Sequence, residues 1–239
     1  MTELLYQTDS YLQEFDARIL SVDENTRTVV LDRSAFYPGG GGQPCDVGTL
    51  LLNDVLYPVD KVKKQGDDVL HFLGGDAPVP TPNSASHGTL DWVRRYRLMR
   101  THTALHVLCG TVFRDYGAQV TGGNMEPLKG HLDFEFETMR GELVREIEET
   151  INQEAGKARD VRIRILPREE AFQIPDLIRT KINLLPEGIQ QIRTVEIVGL
   201  DLQADGGTHV RNTSEVGKIR LANYKSKGAI NKRIYIEVE

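Results

Sequence analysis

His102 and His106 stand four residues apart in a stretch free of Pro and Gly. On a helix, residues i and i+4 share a face, so both imidazoles can reach one ion. A single inward histidine is more often a satisfied core residue, and the pair at this spacing brings the ligand reading level with that plainer one. A third candidate follows roughly a hundred residues later, in Asp205-Gly206-Gly207-Thr208-His209. Two glycines ahead of a histidine make a tight turn that can aim an imidazole into a cavity. Taken together, the helical pair and the distant Gly-Gly-Thr-His resemble a tetrahedral zinc site assembled from a helix and a loop. Imidazole also suits copper, nickel and iron, and zinc is the default choice.

These residues need elements to hold them. Leu98, His102, Leu105, Cys109, Val112 and Tyr116 alternate steps of four and three, which predicts a helix ending at Gly117. A second amphipathic helix is predicted over 141–160, with Leu143, Ile147, Ile151, Ala155 and Ala158 on one side. Val161–Ile165, Thr194–Leu200, Lys218–Ala222 and Arg233–Val238 read as strands. Upstream, Ala17–Val22 and Thr28–Leu31 flank a turn at 23–25, and Gly48–Leu52 and Val55–Val59 flank Asn53-Asp54. With Val69–Phe72 they suggest a small β-barrel. The Pro-rich stretch from Gly74 to Gly88 reads as a linker or surface loop. The fold expected is α+β: an N-terminal small β-barrel over 1–90, then a domain over 91–239 with helices packed on a largely antiparallel sheet.

Between the two hairpins lies Phe36-Tyr37-Pro38 followed by Gly39, Gly40, Gly41, Gly42 and Gln43. Four consecutive glycines lose much entropy on ordering, so such a run either moves freely or lets the backbone approach something closely. The flanking aromatic pair and Gln43 favour an ordered loop. No Gly-Lys-Ser/Thr follows, which excludes a Walker phosphate loop.

The chain has 239 residues, 39% hydrophobic and 27% charged, with a formal charge of −6. That charge argues against coating nucleic acid through bulk positive charge, yet the basic residues cluster. Arg94, Arg95, Arg97 and Arg100 form one group, and Lys218, Arg220, Lys225, Lys227, Lys232 and Arg233 another. The plain reading of each is a solvated face. Cys45 and Cys109 are too few for a disulfide framework and point to a reducing cytoplasm. No run approaches the length of a membrane helix, and the acidic start resembles neither a secretory signal nor a transit peptide.

Arg100-Thr101-His102-Thr103-Ala104-Leu105-His106 followed by Gly206-Gly207-Thr208-His209-Val210-Arg211-Asn212-Thr213 resembles the editing domain of alanyl-tRNA synthetase. The upstream Phe36-Tyr37-Pro38 and glycine run, then Asp46 and Gly48, are similar in order. In the absence of an aminoacylation domain, the chain resembles the AlaX family of freestanding alanyl-tRNA editing proteins, in the form with an N-terminal barrel. The resemblance spans nearly the whole chain. It implies hydrolysis of the ester of alanine tRNA charged with serine, and in some members glycine. It also implies zinc bound by His102, His106 and His209, and places Gly40, Gly41, Gly42 and Gln43 near the editing pocket.

The family usually has Cys four residues before the last His, and Asp205 stands there. Asp205 can replace the thiolate, because carboxylate oxygen is an acceptable zinc ligand, and this is the favoured reading. It can instead point away and leave an open position. Cys109 is a third source of a ligand, although its place on the apolar stripe suits a small core residue.

Ester hydrolysis needs a nucleophilic water and help for the oxyanion. Zinc can activate water, polarise the carbonyl or grip the substrate amine, and the residues do not choose among these. Thr103 and Thr208 are the hydroxyls nearest the histidines and candidates for catalysis; ordinary helix and turn filler is the equal alternative. Gln43, Asn124 and Asp133 are candidate substrate contacts, each polar and near glycines. The Lys218–Arg233 cluster and the arginines near Arg95 are the candidate tRNA footprint. Two rivals stand beside the editing hydrolase: a catalytically inactive tRNA-binding module with a structural zinc, and a zinc hydrolase of another ester.

Overall fold

A computed structural model describes residues 1–180 and 188–239. The chain divides into two compact units, Met1–Tyr96 and Arg97–Glu239.

The first unit is built on a closed barrel. Its strands are β1 (Glu14–Asp23), β2 (Thr28–Leu31), β3 (Gly48–Leu52), β4 (Val55–Gln65), β5 (Asp68–Leu73) and β6 (Ala85–Leu90). They close antiparallel in the order β1-β2-β5-β4-β3-β6. Alternate side chains point inward, among them Ile19, Val29, Leu50 and Val69, all fully buried. Each such side chain contributes about 1.5–3 kcal/mol by leaving water. Asn53 and Asp54 both take positive φ (47° and 62°), the two-residue turn that matches strand twist between β3 and β4.

The stretch read as linker holds one correction. Residues 85–90 are β6, the strand that closes the barrel between β1 and β3. Its inward residues include Ser86 and Gly88, which carry no apolar signal. Gly88 is required there, because a Cβ would stand 2.5 Å from the Phe15 ring.

The second unit surrounds one helix, α1 (Trp92–Tyr116), whose first turn precedes the division between the units. A four-stranded antiparallel sheet runs in the order β12 (Ile219–Ser226), β13 (Asn231–Val238), β8 (Lys129–Glu135) and β7 (Val120–Glu126). A three-stranded one comprises β9 (Val161–Pro167), β10 (Gln191–Ile197) and β11 (Asp201–Ala204). The helix α2 (Gly141–Gly156) buries Val144, Ile147, Ile151 and Ala155 and is tied to β12 through Asn152, which exchanges two hydrogen bonds with the Ile219 backbone. Both sheets approach α1. On β8, a Cβ at Gly130 would stand 3.2 Å from Leu105. At the start of β11, Asp201 comes so close to Gly110 that a Cβ there would stand 2.8 Å from its own. Consequently α1 is buried on most of its circumference from Leu98 to Val112, not along one stripe. Among the described residues no helix is long and apolar enough to cross a membrane.

Candidate metal centre

His102 and His106 project from the buried middle of α1, and the turn after β11 brings Asp205 and His209 to them. One ligand atom from each of His102, His106, Asp205 and His209 lies within 4.8 Å of all the others, and the four could hold a metal ion. The imidazole centroids are 4.1 Å apart for His102 and His209, 4.6 Å for His106 and His209, and 5.0 Å for His102 and His106. His209 Nε2 lies 3.1 Å from Asp205 Oδ2, and His102 Nε2 lies 3.5 Å from Asp205 Oδ1.

Each imidazole has a further partner. His106 Nδ1 donates to Asp201 Oδ2 at 3.1 Å. His209 Nδ1 lies 3.2 Å from the Thr103 hydroxyl, and His102 hydrogen-bonds the Thr208 backbone. Partners of this kind fix the ring and leave the inward nitrogen free to ligate. The glycines serve the turn: Gly207 N–H donates to Asp205 Oδ2 at 2.8 Å, which folds the carboxylate back toward His209.

The electrostatics suit a cation. Burial lowers the His102 pKa to about 4, and burial together with the neighbouring His102 holds His209 well below its usual value, so both are neutral donors. Burial would also lower His106, but the hydrogen bond and charge of Asp201 outweigh it. Burial opposes ionisation of Asp205, and the surrounding imidazoles outweigh that and hold it well below the carboxylate range. Three imidazoles and one carboxylate form a donor set that suits zinc. Cys109 is buried on α1 with its thiol pushed well up by burial, and its sulfur accepts from Gln203 Nε2 at 3.3 Å. It stands outside the cluster.

The remaining sequence candidates fall elsewhere. Thr103 and Thr208 are fully buried. The Thr103 oxygen accepts from Val210 N–H at 3.2 Å and contacts His209, so it braces a candidate ligand. Asn124 lies on β7 in a cleft of about 390 Å³ with His131, Asn223 and Tyr235, a group that shares no residue with the cluster. Asp133 and Arg233, read separately as substrate and tRNA contacts, bind one another in a two-pronged pair at 2.6 and 2.8 Å. Lys232 is buried, and its Nζ donates to the carbonyls of Gly228 and Ala229. Lys218, Arg220, Lys225 and Lys227 are exposed, Arg220 lying 3.8 Å from Glu239.

Gly40, Gly41, Gly42 and Gln43 belong to the first unit. The loop is ordered, as expected from its flanks: Gly40 and Gln43 exchange backbone hydrogen bonds, and the Tyr37 hydroxyl donates to Gly40 O at 3.0 Å. Gly39 to Gly42 all have positive φ, which explains the residue type. Asp46 accepts from Tyr37 N–H and is paired with Arg95, which is fully buried. Arg95 therefore leaves the candidate tRNA footprint.

Sequence reasoning missed Asp201, which no ligand spacing marks. The one signal was Gly110 inside the helix, where a glycine costs about 1 kcal/mol relative to alanine and calls for a packing reason.

The profile described as "Threonyl and Alanyl tRNA synthetase second additional domain" matches residues 192–235, and that described as "tRNA synthetases class II (A)" matches residues 7–93. The alanyl-tRNA editing protein AlaX-M of Saccharolobus solfataricus is 40% identical over 100% of both chains. That of Methanosarcina acetivorans is 36% identical over 98% of both. The alanine–tRNA ligase of Ignicoccus hospitalis is 38% identical over 92% of this chain and 24% of its own length.

Proposed function

The chain belongs to the AlaX-M family of alanyl-tRNA editing proteins, and from that premise we propose that it hydrolyses, in trans, the ester joining a wrong amino acid to alanine tRNA. The substrate class is alanine tRNA mischarged with serine or glycine, met in the cytoplasm. The observation that carries the reading is the convergence of His102, His106, Asp205 and His209 in a chain alike over its full length to an editing protein.

The four side chains would hold zinc. Bound there, the ion would supply Lewis-acid chemistry to the ester, its amine or the attacking water. The chain's own residues do the rest. His102 and His209 present neutral nitrogens because burial disfavours their charged forms. Asp205 supplies the negative charge of the donor set and is its most exposed member, with 14% of its side chain accessible, so substrate enters on its side. Thr103 and the Thr208 backbone keep two imidazoles in register. Lys225 and Lys227 are proposed as cations for the tRNA phosphates.

One observation favours a second reading. Four protein donors can fill a tetrahedron, and a filled site is structural rather than catalytic. Single-turnover release of serine from serine-charged alanine tRNA, beside alanine from its correct ester, separates the two. The editing reading expects serine released and alanine spared. Zinc and tRNA bound with nothing released would support the binding module, and Asp205→Ala, which opens one position, would then allow release. A small ester cleaved without competition from tRNA would support a different hydrolase.

A further inference from the structure

The structure assigns to Asp201 the positioning of His106, an inference that rests on the metal reading above. The Asp201 side chain has no accessible surface. Its Oδ2 accepts from His106 Nδ1 at 3.1 Å and from Gln203 Nε2 at 2.6 Å, and its Oδ1 lies 3.4 Å from Arg179 Nε. Three nitrogen donors, one a guanidinium, converge on this buried carboxyl group and hold it in one orientation. An ionised carboxylate only accepts hydrogen bonds. His106 Nδ1 therefore carries the hydrogen, which in the neutral ring leaves the lone pair on Nε2.

The packing of α1 is arranged around this contact. His106, Gly110 and Phe113 lie at i, i+4 and i+7, along one stripe. Gly110 leaves room for Asp201: a Cβ there would stand 2.8 Å from Asp201 Cβ and 3.0 Å from the Leu200 carbonyl oxygen. Arg179 lies over the Phe113 ring, 3.9 Å from its centroid, and is braced against the helix it serves. Gln203 also reaches Cys109 Sγ at 3.3 Å. Three successive contacts of α1 thus fix the carboxylate that fixes the histidine. A carboxylate behind a ligating imidazole orients the ring and raises its basicity, and its loss lowers metal affinity about 10–100-fold.

The test uses the full chain, wild type and with Asp201→Ala and Asp201→Asn. The His106 tautomer is read by long-range proton–nitrogen NMR of the metal-free protein. Zinc affinity is measured by competition with a chromophoric chelator, and the visible bands of bound cobalt report ligand geometry. The wild type is expected to show the Nδ1–H tautomer. Asp201→Ala should lose that preference, weaken zinc about 10–100-fold and shift the cobalt bands, with far-UV circular dichroism unchanged. Asp201→Asn keeps an acceptor without the charge, so it should retain the tautomer and fall between the two in affinity. An Nε2–H tautomer in the wild type, or unchanged zinc affinity in Asp201→Ala, overturns the assignment. Should Asp201→Ala fail to fold, Gly110→Ala, which pushes the carboxylate off the helix, must weaken zinc in the same direction, and unchanged affinity and tautomer there overturn it too. A wild type that binds no zinc would refute the metal reading alone, because the tautomer of the metal-free chain still decides the role of Asp201.

Discussion

The Thr103 hydroxyl lies 3.2 Å from Nδ1 of His209 and accepts the Val210 N–H at the same distance. One buried oxygen of α1 thus holds both the last candidate ligand and the backbone beyond it. Replacing it with the isosteric Thr103→Val leaves a buried N–H unsatisfied, which costs about 1–3 kcal/mol. Zinc affinity should fall together with stability, and Thr103→Ser should restore both. Chemical denaturation and chelator competition read the two effects. Full stability and affinity in Thr103→Val would return the residue to a role toward substrate.

Buried His71 in the barrel predicts a pH response of the first unit. Its Nε2 lies 2.8 Å from Ser34 Oγ, and its Nδ1 donates to Val29 O at 3.3 Å. Burial lowers its pKa from 6.5 to about 4. Between those values the unfolded chain binds a proton that the folded chain refuses. Stability is therefore full above pH 6.5 and declines by up to roughly 3 kcal/mol as pH falls through about 4. The difference in unfolding free energy between wild type and His71→Asn, measured from pH 7.5 to 4.5, should shrink as pH falls. A difference that stays constant would contradict the assignment.

The exposed lysines of β12 and the turn after it give a prediction for tRNA. Lys225→Glu with Lys227→Glu should weaken alanine tRNA binding and lower the slope of log affinity against log salt by about 1–2. Lys232→Met should leave that slope unchanged, because its ammonium is already spent on two carbonyls. Filter binding across a salt series distinguishes them. Equal slopes for all three proteins would remove Lys225 and Lys227 from the interface.

The sequence carried the elements whose period is exposed to water on one side. The first two hairpins, α2 and β9 were legible because apolar and polar residues alternate there at a clear spacing. β6 was hidden because Ser86 and Gly88 face inward, and small residues leave no hydropathy signal. β7 and β8 were hidden behind glycines and a mixed surface face. The helix α1 was placed, but its burial on nearly all sides was not, because Thr101 and Thr103 are fully buried polar residues with specific partners. The same limit applies at the centre. Local spacing marked the histidines and the family resemblance marked Asp205, whereas Asp201 and the pairing of Asp133 with Arg233 depend on strands brought together from distant parts of the chain.

The most direct test of the account measures serine release from serine-charged alanine tRNA and metal content together, in the wild type and His209→Ala. The account predicts about one zinc per chain and rapid release in the wild type, with both lost in the variant and its far-UV circular dichroism preserved. Undiminished release by a zinc-free His209→Ala would contradict it.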